Sequence, residues 1–261
     1  MNNFKLILKY IKYRFSAQTK YDIHSPFVYQ LLTAVINDKK SLPEFREIEN
    51  LRSLLLKNKS EINVEDFGAG SLKSKTKIRT IAEITRNAAK PAKYAQLLYR
   101  LVKYFHPQNL LELGTSLGIS TAYMAKASPD TKVYTIEGSE AIAKLAIDNF
   151  ETLKLPNVEV ITGNFDEQLP LLLDKTPTFD FVFFDGNHRK IPTLSYFESC
   201  LKHKHNDSVF VFDDIHWSTE MEETWEMIKL SPEVTVSIDL FFIGLVFFRK
   251  ASTKENFVIR F

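Results

Sequence analysis

Cysteine and long apolar runs are scarce in this sequence. Its 261 residues include one cysteine, Cys200, so an intramolecular disulfide and a cysteine-rich zinc site are excluded, and a reducing compartment fits. The longest apolar run, Leu240 to Phe248, is about half of the ~20 residues that a membrane span needs. Lysine and arginine interrupt the N-terminal apolar stretch, and no small-residue cleavage site follows it. These absences predict a cytoplasmic protein without a membrane partner.

Glycine is also rare, and its distribution is uneven. The chain has 8 glycines, about 3% against a usual ~7%. Five of them fall within one stretch of the chain: Gly114, Gly118, Gly138, Gly163 and Gly186. Such clustering predicts tight turns or a close approach of backbone to ligand in that region.

The remaining composition is that of an ordinary globular protein, with 44% hydrophobic and 25% charged residues. This excludes disorder, collagen and coiled coil for the chain as a whole. The net charge of +2 hides an asymmetry, because residues 1–90 have 17 basic and 9 acidic residues, whereas the rest has 17 and 23. The basic part could meet nucleic acid, but no basic run exceeds two residues, which favours solvated helices and makes a nucleic-acid partner the weaker interpretation.

Short apolar runs alternate with helical periods from Asn109 onward, which indicates a parallel sheet covered by helices on both faces. The predicted strands are Asn109–Leu113, Lys132–Ile136, Val158–Ile161, Phe179–Phe184 and Ser208–Phe212. The predicted helices between and after them are Ile119–Ala127, a helix capped by Ser139, Asp166–Leu173, 190–203 and 217–229.

The end of the chain departs from this alternation. Val234–Ile238 and Phe241–Phe248 are separated by too few residues for a crossover helix, so they are predicted to form an antiparallel hairpin. The fold class is therefore α/β, a Rossmann-like doubly wound sheet of mostly parallel strands with an antiparallel C-terminal hairpin. Residues 1–90 are predicted to be an α-helical N-terminal extension, and residues 91–261 the ligand-binding domain.

Ligands of open parallel sheets bind outside the carboxyl ends of the strands. The first of these ends reads ELGTSLGIS from Glu112 to Ser120, with G-x-x-x-G in place of the G-x-G-x-x-G of a dinucleotide site, and no Walker lysine pattern occurs. A nicotinamide oxidoreductase is therefore disfavoured. Glu137, at the end of the second strand, is suited to accept hydrogen bonds from a ribose. Taken alone, it is better interpreted as an acid favoured at a helix N-terminus, but beside the ELGTSLG turn and Gly163-Asn164-Phe165 the ribose interpretation prevails.

Together these turns, with Gly163-Asn164-Phe165 after the third strand and acids after the fourth and fifth, resemble class I S-adenosylmethionine-dependent methyltransferases. The resemblance covers about 109–248 and is greatest to the catechol and caffeoyl-CoA types of small-molecule O-methyltransferase. It implies methyl transfer from S-adenosylmethionine to a hydroxyl of a small molecule, and the family's habit implies a homodimer. The alternatives are a nucleic-acid methyltransferase and a non-catalytic protein that binds S-adenosylmethionine.

The resemblance also implies roles for individual residues. The implied cofactor-binding residues are Glu112, Gly114, Ser116, Gly118, Ser120, Glu137, Gly138, Asn164, Phe165 and Asp185. Glu137 would take the ribose hydroxyls, Asn164 and Phe165 would lie beside the adenine, and Ser116 and Ser120 near the carboxylate. An acidic pocket suits a ligand that has a sulfonium and an ammonium.

Three carboxylates follow the fourth and fifth strands: Asp185, Asp213 and Asp214. Oxygen ligands of this kind suit Mg²⁺, so a divalent metal site is predicted there. The alternative is that Asp213 or Asp214 caps the helix near Trp217.

The implied catalytic residues are Asp185 and His188. His188 stands where the catechol-type enzymes have a lysine, and imidazole is the better proton acceptor at neutral pH. His216 is a second candidate for the base, and an ordinary loop histidine is the alternative for both. A second glycine-containing turn, Asp66–Ser71, follows a polar stretch with little strand character and is interpreted as a loop rather than a cofactor site.

Overall fold

The fold is described from a computed structural model, for residues 3–64, 78–250 and 252–261, with side chains from residue 6 onward. The predicted turn at Asp66–Ser71 lies outside these ranges. The helices are α1 (Asn3–Ser16), α2 (Pro26–Leu31) followed by a π-helical turn (Leu32–Ile36), α3 (Pro43–Leu55), α4 (Ile81–Ala88), α5 (Ala92–Phe105), α6 (Ile119–Ala127), α7 (Glu140–Thr152), α8 (Phe165–Lys175), α9 (Lys190–Leu201) and α10 (Thr219–Leu230). The strands are β1 (Glu61–Asn63), β2 (Ile78–Thr80), β3 (Asn109–Leu113), β4 (Lys132–Glu137), β5 (Val158–Thr162), β6 (Phe181–Phe184), β7 (Val209–Asp213), β8 (Val236–Asp239), β9 (Ile243–Phe247) and β10 (Glu255–Val258).

Two compact units make up the chain, Lys40–Pro177 and a second unit that joins Met1–Lys39 to Thr178–Phe261. The predicted boundary at residue 90 stays a prediction. None of the described helices has the length and apolar character that a membrane crossing requires.

The unit Lys40–Pro177 contains the first three strands of the predicted alternation. Strands β3, β4 and β5 pair in parallel in that order, and helices α6 and α7 connect them. Parallel pairing places the carboxyl ends of all three strands at one edge, where the turns after Leu113, Glu137 and Thr162 meet. The antiparallel pair β1–β2 is a separate small sheet that the sequence analysis did not predict.

The other unit has strands in the order β10-β8-β9-β7-β6. Strands β6 and β7 are parallel, whereas β9 is antiparallel to both β7 and β8, which confirms the predicted terminal hairpin. Strand β10 pairs in parallel with β8 and forms the edge of this set of strands.

Every residue of β6 and β7 is buried, as expected for strands covered on both faces. Their phenylalanines pack across the pair, with Phe184 stacked on Phe212 at a centroid distance of 4.4 Å. This apolar interior fixes the two strands and with them the polar loops that follow Phe184 and Asp213.

Candidate functional site

The turn after β3 has a backbone that ordinary residues rarely adopt. Gly114, Ser116 and Gly118 have φ values of 106°, 48° and 77°. A β-carbon at Gly118 would lie 2.4 Å from the ring of Phe150, so both conformation and space require glycine there. The N–H groups of Gly114 and Gly118 donate to the carbonyls of Ile136 and Thr115, and these hydrogen bonds hold the turn in this conformation.

Glu137 is held by backbone donors on both carboxylate oxygens. Oε2 accepts from the N–H of Ser116 at 2.8 Å, and Oε1 accepts from the N–H of Ser139 at 3.0 Å. A carboxylate oxygen has two lone pairs, so one backbone donor does not by itself exclude a hydroxyl donor. The carboxylate is therefore oriented before any ligand arrives, and it can accept two hydrogen bonds from a vicinal diol. The acid in the first turn of α7 is Glu140, whereas Glu137 precedes that helix.

Glu112 lies below this turn with no exposed surface. Its carboxylate accepts hydrogen bonds from the hydroxyls of Ser120 at 2.6 Å, Thr135 at 2.7 Å and Thr121. Burial raises the pKa of Glu112 to about 7, and the three hydroxyl donors oppose that rise. Through these hydrogen bonds Glu112 holds Ser120 and the start of α6 in place. Its contact with the cofactor stays a prediction.

The turn after β5 adjoins the same edge. The N–H of Gly163 donates to the backbone carbonyl of Glu137 at 2.9 Å, which ties the ends of β4 and β5 together. Asn164 caps α8, because its side chain accepts from the N–H of Asp166 at 3.1 Å, and Phe165 begins that helix. The structure thus brings the predicted residues of three turns to one edge of the Lys40–Pro177 unit: Gly114, Ser116, Gly118, Glu137, Gly138, Asn164 and Phe165.

A second polar group lies in the other unit, after β6 and β7. Asp185, His188 and Asp213 each offer a ligand atom, and these atoms lie within 4.8 Å of one another. Asp213 is buried, and the Nε2 atom of His188 lies 3.9 Å from Oδ1 of Asp185. Asp214 was predicted as the third ligand but is outside this group; it adopts φ 53°, and its carbonyl accepts from the N–H of Trp217.

The alternative role of Asp213 and Asp214 as helix caps is not what the structure has. Helix α10 is capped by Ser218, whose hydroxyl accepts from the N–H of Met221 at 3.1 Å. This cap also explains why the helix begins at Thr219 rather than at the predicted residue 217, since an N-cap residue has extended backbone.

The donors of the Asp185–His188–Asp213 group fit a divalent cation. Two carboxylates and an imidazole suit Mn²⁺ and other first-row ions, and carboxylate-rich sites also suit Mg²⁺. Sequence reasoning missed Asn187, whose side-chain oxygen is buried without a hydrogen-bond partner among the residues that the structure describes. The left-handed φ of 53° at this residue belongs to the sharp loop that also holds Asp185 and His188. The sequence offered one indication of Asn187, namely its position between two predicted site residues, Asp185 and His188.

His216 is not suited to act as a base. Its Nε2 atom lies 2.7 Å from Asp239 and its Nδ1 atom 3.1 Å from Glu222, while its ring stacks on Phe241 at 5.0 Å. Burial lowers the pKa of His216, but the hydrogen bonds and charges of both acids outweigh burial, so the net shift is upward. An imidazolium that donates from both nitrogens has no lone pair to accept a proton.

Comparison with known proteins finds similarity to methyltransferases. The methyltransferase domain family matches residues 111–215. A catechol O-methyltransferase from Niastella koreensis is 32% identical over 126 residues, covering 47% of this chain and 55% of that protein, and an O-methyltransferase from Aspergillus flavus is 27% identical over 114 residues, covering 41% and 45%. The chain thus spans about half the length of the curated relatives it matches.

Solved structures share the fold over most of the chain. An O-methyltransferase from Bacillus cereus in complex with S-adenosylhomocysteine has a TM-score of 0.57 at 24% identity, over 85% of this chain and 97% of that one. The O-methyltransferase TomG from Streptomyces achromogenes in complex with S-adenosylmethionine has a TM-score of 0.58 at 21% identity, over 85% and 95%. Residues 111–215 therefore resemble a methyltransferase domain, and the chain has the fold of solved O-methyltransferases that bind S-adenosylmethionine or S-adenosylhomocysteine.

Proposed function

We propose that this protein transfers a methyl group from S-adenosylmethionine to a hydroxyl oxygen of a small molecule. The observation that carries the proposal is the oriented carboxylate of Glu137, which can receive both hydroxyls of a ribose. The names of the relatives, a catechol O-methyltransferase among them, support oxygen as the methyl acceptor.

The turns of the Lys40–Pro177 unit would bind the donor in segments. Glu137 accepts from the ribose, Ser116 and Ser120 face the carboxylate, and Asn164 with Phe165 flanks the adenine. Bound S-adenosylmethionine supplies a methyl group made electrophilic by its sulfonium. Since a buried positive charge needs a partner, the ammonium and the sulfonium would each need an acidic side chain or another acceptor nearby.

The other unit would hold the acceptor. Asp185 and Asp213 would hold a divalent ion such as Mg²⁺, with either Asp214 or His188 as a third ligand. A bound divalent ion lowers the pKa of an acceptor hydroxyl. His188 has one available role at a time, because an imidazole nitrogen that binds a metal cannot also take a proton. With Asp214 as ligand, His188 would take the hydroxyl proton as the acceptor oxygen bonds to the methyl carbon. The bond from that carbon to sulfur would break in the same displacement, which leaves S-adenosylhomocysteine.

The Glu137→Ala variant is expected to bind S-adenosylhomocysteine at least about tenfold more weakly, through loss of charge-assisted hydrogen bonds worth roughly 1.5–3 kcal/mol. Isothermal titration calorimetry measures the affinity directly. Glu140→Ala is the matched control, because Glu140 is an exposed acid three residues further on, in the first turn of α7. Unchanged affinity in Glu137→Ala, or no heat from the unaltered protein with either donor or product, would contradict the proposal.

Turnover is tested separately with a panel of catechols and other hydroxylated small molecules, read as a gained methyl group by mass spectrometry. Methylation of a hydroxyl supports the proposal. Cofactor binding without methylation of any acceptor would favour a non-catalytic binding protein, and salt-sensitive binding of RNA or DNA would favour a nucleic-acid methyltransferase.

A further inference from the structure

Helix α1 has two apolar faces, of which one is buried. On the inner face, the rings of Tyr10 and Tyr13 pack against Phe241 at centroid distances of 5.1 and 5.2 Å. On the outer face, four apolar side chains are between 45% and 87% exposed: Ile7, Leu8, Ile11 and Phe15. At 100° per residue, Leu8 and Phe15 point almost directly away from the buried side. An amphipathic surface helix would have polar residues there, so this outer face is suited to a contact with a partner.

The outer face is presented by a helix that the fold already fixes. Lys9 forms an ion pair with Glu222 of α10 at 2.6 Å, and the hydroxyl of Tyr13 donates to the carbonyl of Ile259. At the end of the helix, the guanidinium of Arg260 donates to the carbonyl of Arg14 at 2.7 Å. A partner therefore meets a preformed surface, and no ordering of the helix opposes association.

The charge around this face is mostly positive, although Lys9 is paired with Glu222 and an exposed acid, Asp22, follows Tyr21. Helix α1 contains lysines 5, 9 and 12 and Arg14 but no acidic residue. Two exposed cations near its C-terminal end, Lys20 and Arg260, extend the basic region. Tyr21 lies beside them, is 82% exposed, and has the ammonium of Lys20 at 5.0 Å from its ring. Exposed aromatic and aliphatic side chains flanked by lysine and arginine are the composition of helices that lie in a membrane interface.

A second copy of the chain is a poorer occupant. A twofold symmetric contact places the same patch of both copies face to face, so two helices without an acid would bring like charges together. An anionic lipid surface offers both partners that the helix needs, headgroup phosphates for the cations and acyl chains for the apolar stripe.

We propose that the outer face of α1 docks in the plane of a bilayer that contains anionic phospholipid. This contact lies on the membrane surface and differs from the span that the sequence excludes, but it replaces the expectation that the chain has no membrane partner. It is independent of the proposed methyl transfer.

Co-sedimentation of the full chain with vesicles tests this docking. We expect binding to phosphatidylcholine vesicles that contain about one third phosphatidylglycerol, and at least about tenfold weaker binding to pure phosphatidylcholine. Raising the salt from about 0.1 M to about 0.5 M should release the protein, because the Debye length falls to a few ångströms. Phe15→Trp should give an emission shift to shorter wavelength with the anionic vesicles only.

Two pairs of variants separate this face from general surface effects. Leu8→Ser with Phe15→Ser should weaken vesicle binding at least about tenfold, whereas Ile191→Ser with Leu230→Ser, at comparably exposed apolar positions, should leave it unchanged. Lys12→Glu should weaken binding about fivefold or more, and Lys202→Glu, at the residue that follows α9, should not. All six positions lie in the same unit as α1.

Several results would overturn the docking. One is that the protein does not sediment with anionic vesicles. Another is that the Leu8/Phe15 variant binds vesicles as well as the unaltered protein does. A third is that vesicle binding does not change with lipid charge or salt. A dimer in sedimentation velocity that the Leu8/Phe15 variant converts to monomer, without vesicle binding, would assign the face to a second copy instead.

Discussion

Removal of divalent metal is expected to reduce methyl transfer at least about 100-fold. The acceptor hydroxyl would lose both the ion that orients it and the charge that lowers its pKa, and each contributes to the barrier. Dialysis against EDTA followed by addition of Mg²⁺ or Mn²⁺ tests this, with turnover and calorimetric metal affinity both measured. Full activity in EDTA would remove the metal from the mechanism.

Variants then decide which residue is the third ligand. Asp214→Asn keeps a residue that tolerates the left-handed backbone observed at that position, and His188→Gln removes the imidazole. If His188 is the ligand, its variant loses metal affinity and Asp214→Asn does not. If Asp214 is the ligand, the reverse holds, and His188→Gln changes the pH profile of turnover with metal affinity intact. Asp207→Asn, an exposed acid before β7, is the control and should alter neither.

Stability is expected to fall as pH rises, because of Glu112. Burial raises the pKa of this group from 4.5 to about 7 in the folded protein, so the folded state keeps a proton that the unfolded chain releases. The contribution is fully present below about pH 4.5 and is lost as the pH passes through about 7. The free energy of unfolding should drop by up to about 3 kcal/mol across that window.

Urea unfolding at several pH values between about 4.5 and 8 measures this decline. Glu112→Gln cannot ionise, and its amide can still meet the hydroxyls around it, so the variant should flatten that part of the curve. Glu140→Gln, an exposed acid of α7, should retain the full decline. A decline of the same size in Glu112→Gln would assign it to other groups.

Most of the α/β alternation was predictable from local pattern. Strand β3 and helix α6 have the predicted bounds, and β4 and β5 each extend one residue further than predicted. A buried strand is recognised by its continuous apolar run and a helix by its 3.6-residue period. Neither signal depends on the tertiary neighbours of the segment. The pair β1–β2 was missed, because strands of three residues have too little periodicity to detect.

The predicted cofactor residues could be found from their position relative to the predicted strands. Glu137 and the turn Gly114–Gly118 were found from their place after predicted strands, and parallel pairing brought them together. The hydroxyls of Thr121 and Thr135 around Glu112 were not predicted, because residues so far apart in the chain converge only through helix orientation and strand register.

By itself, the sequence determined the order of strands and helices and the polar residues at the strand ends, since apolar periodicity and turn chemistry are local properties. The tertiary structure decided which side chains meet. It grouped His188 with Asp185 and Asp213, placed His216 between two acids, and left one apolar face of α1 exposed. These outcomes depend on register, side-chain rotamers and the packing of distant segments, and no local pattern encodes them.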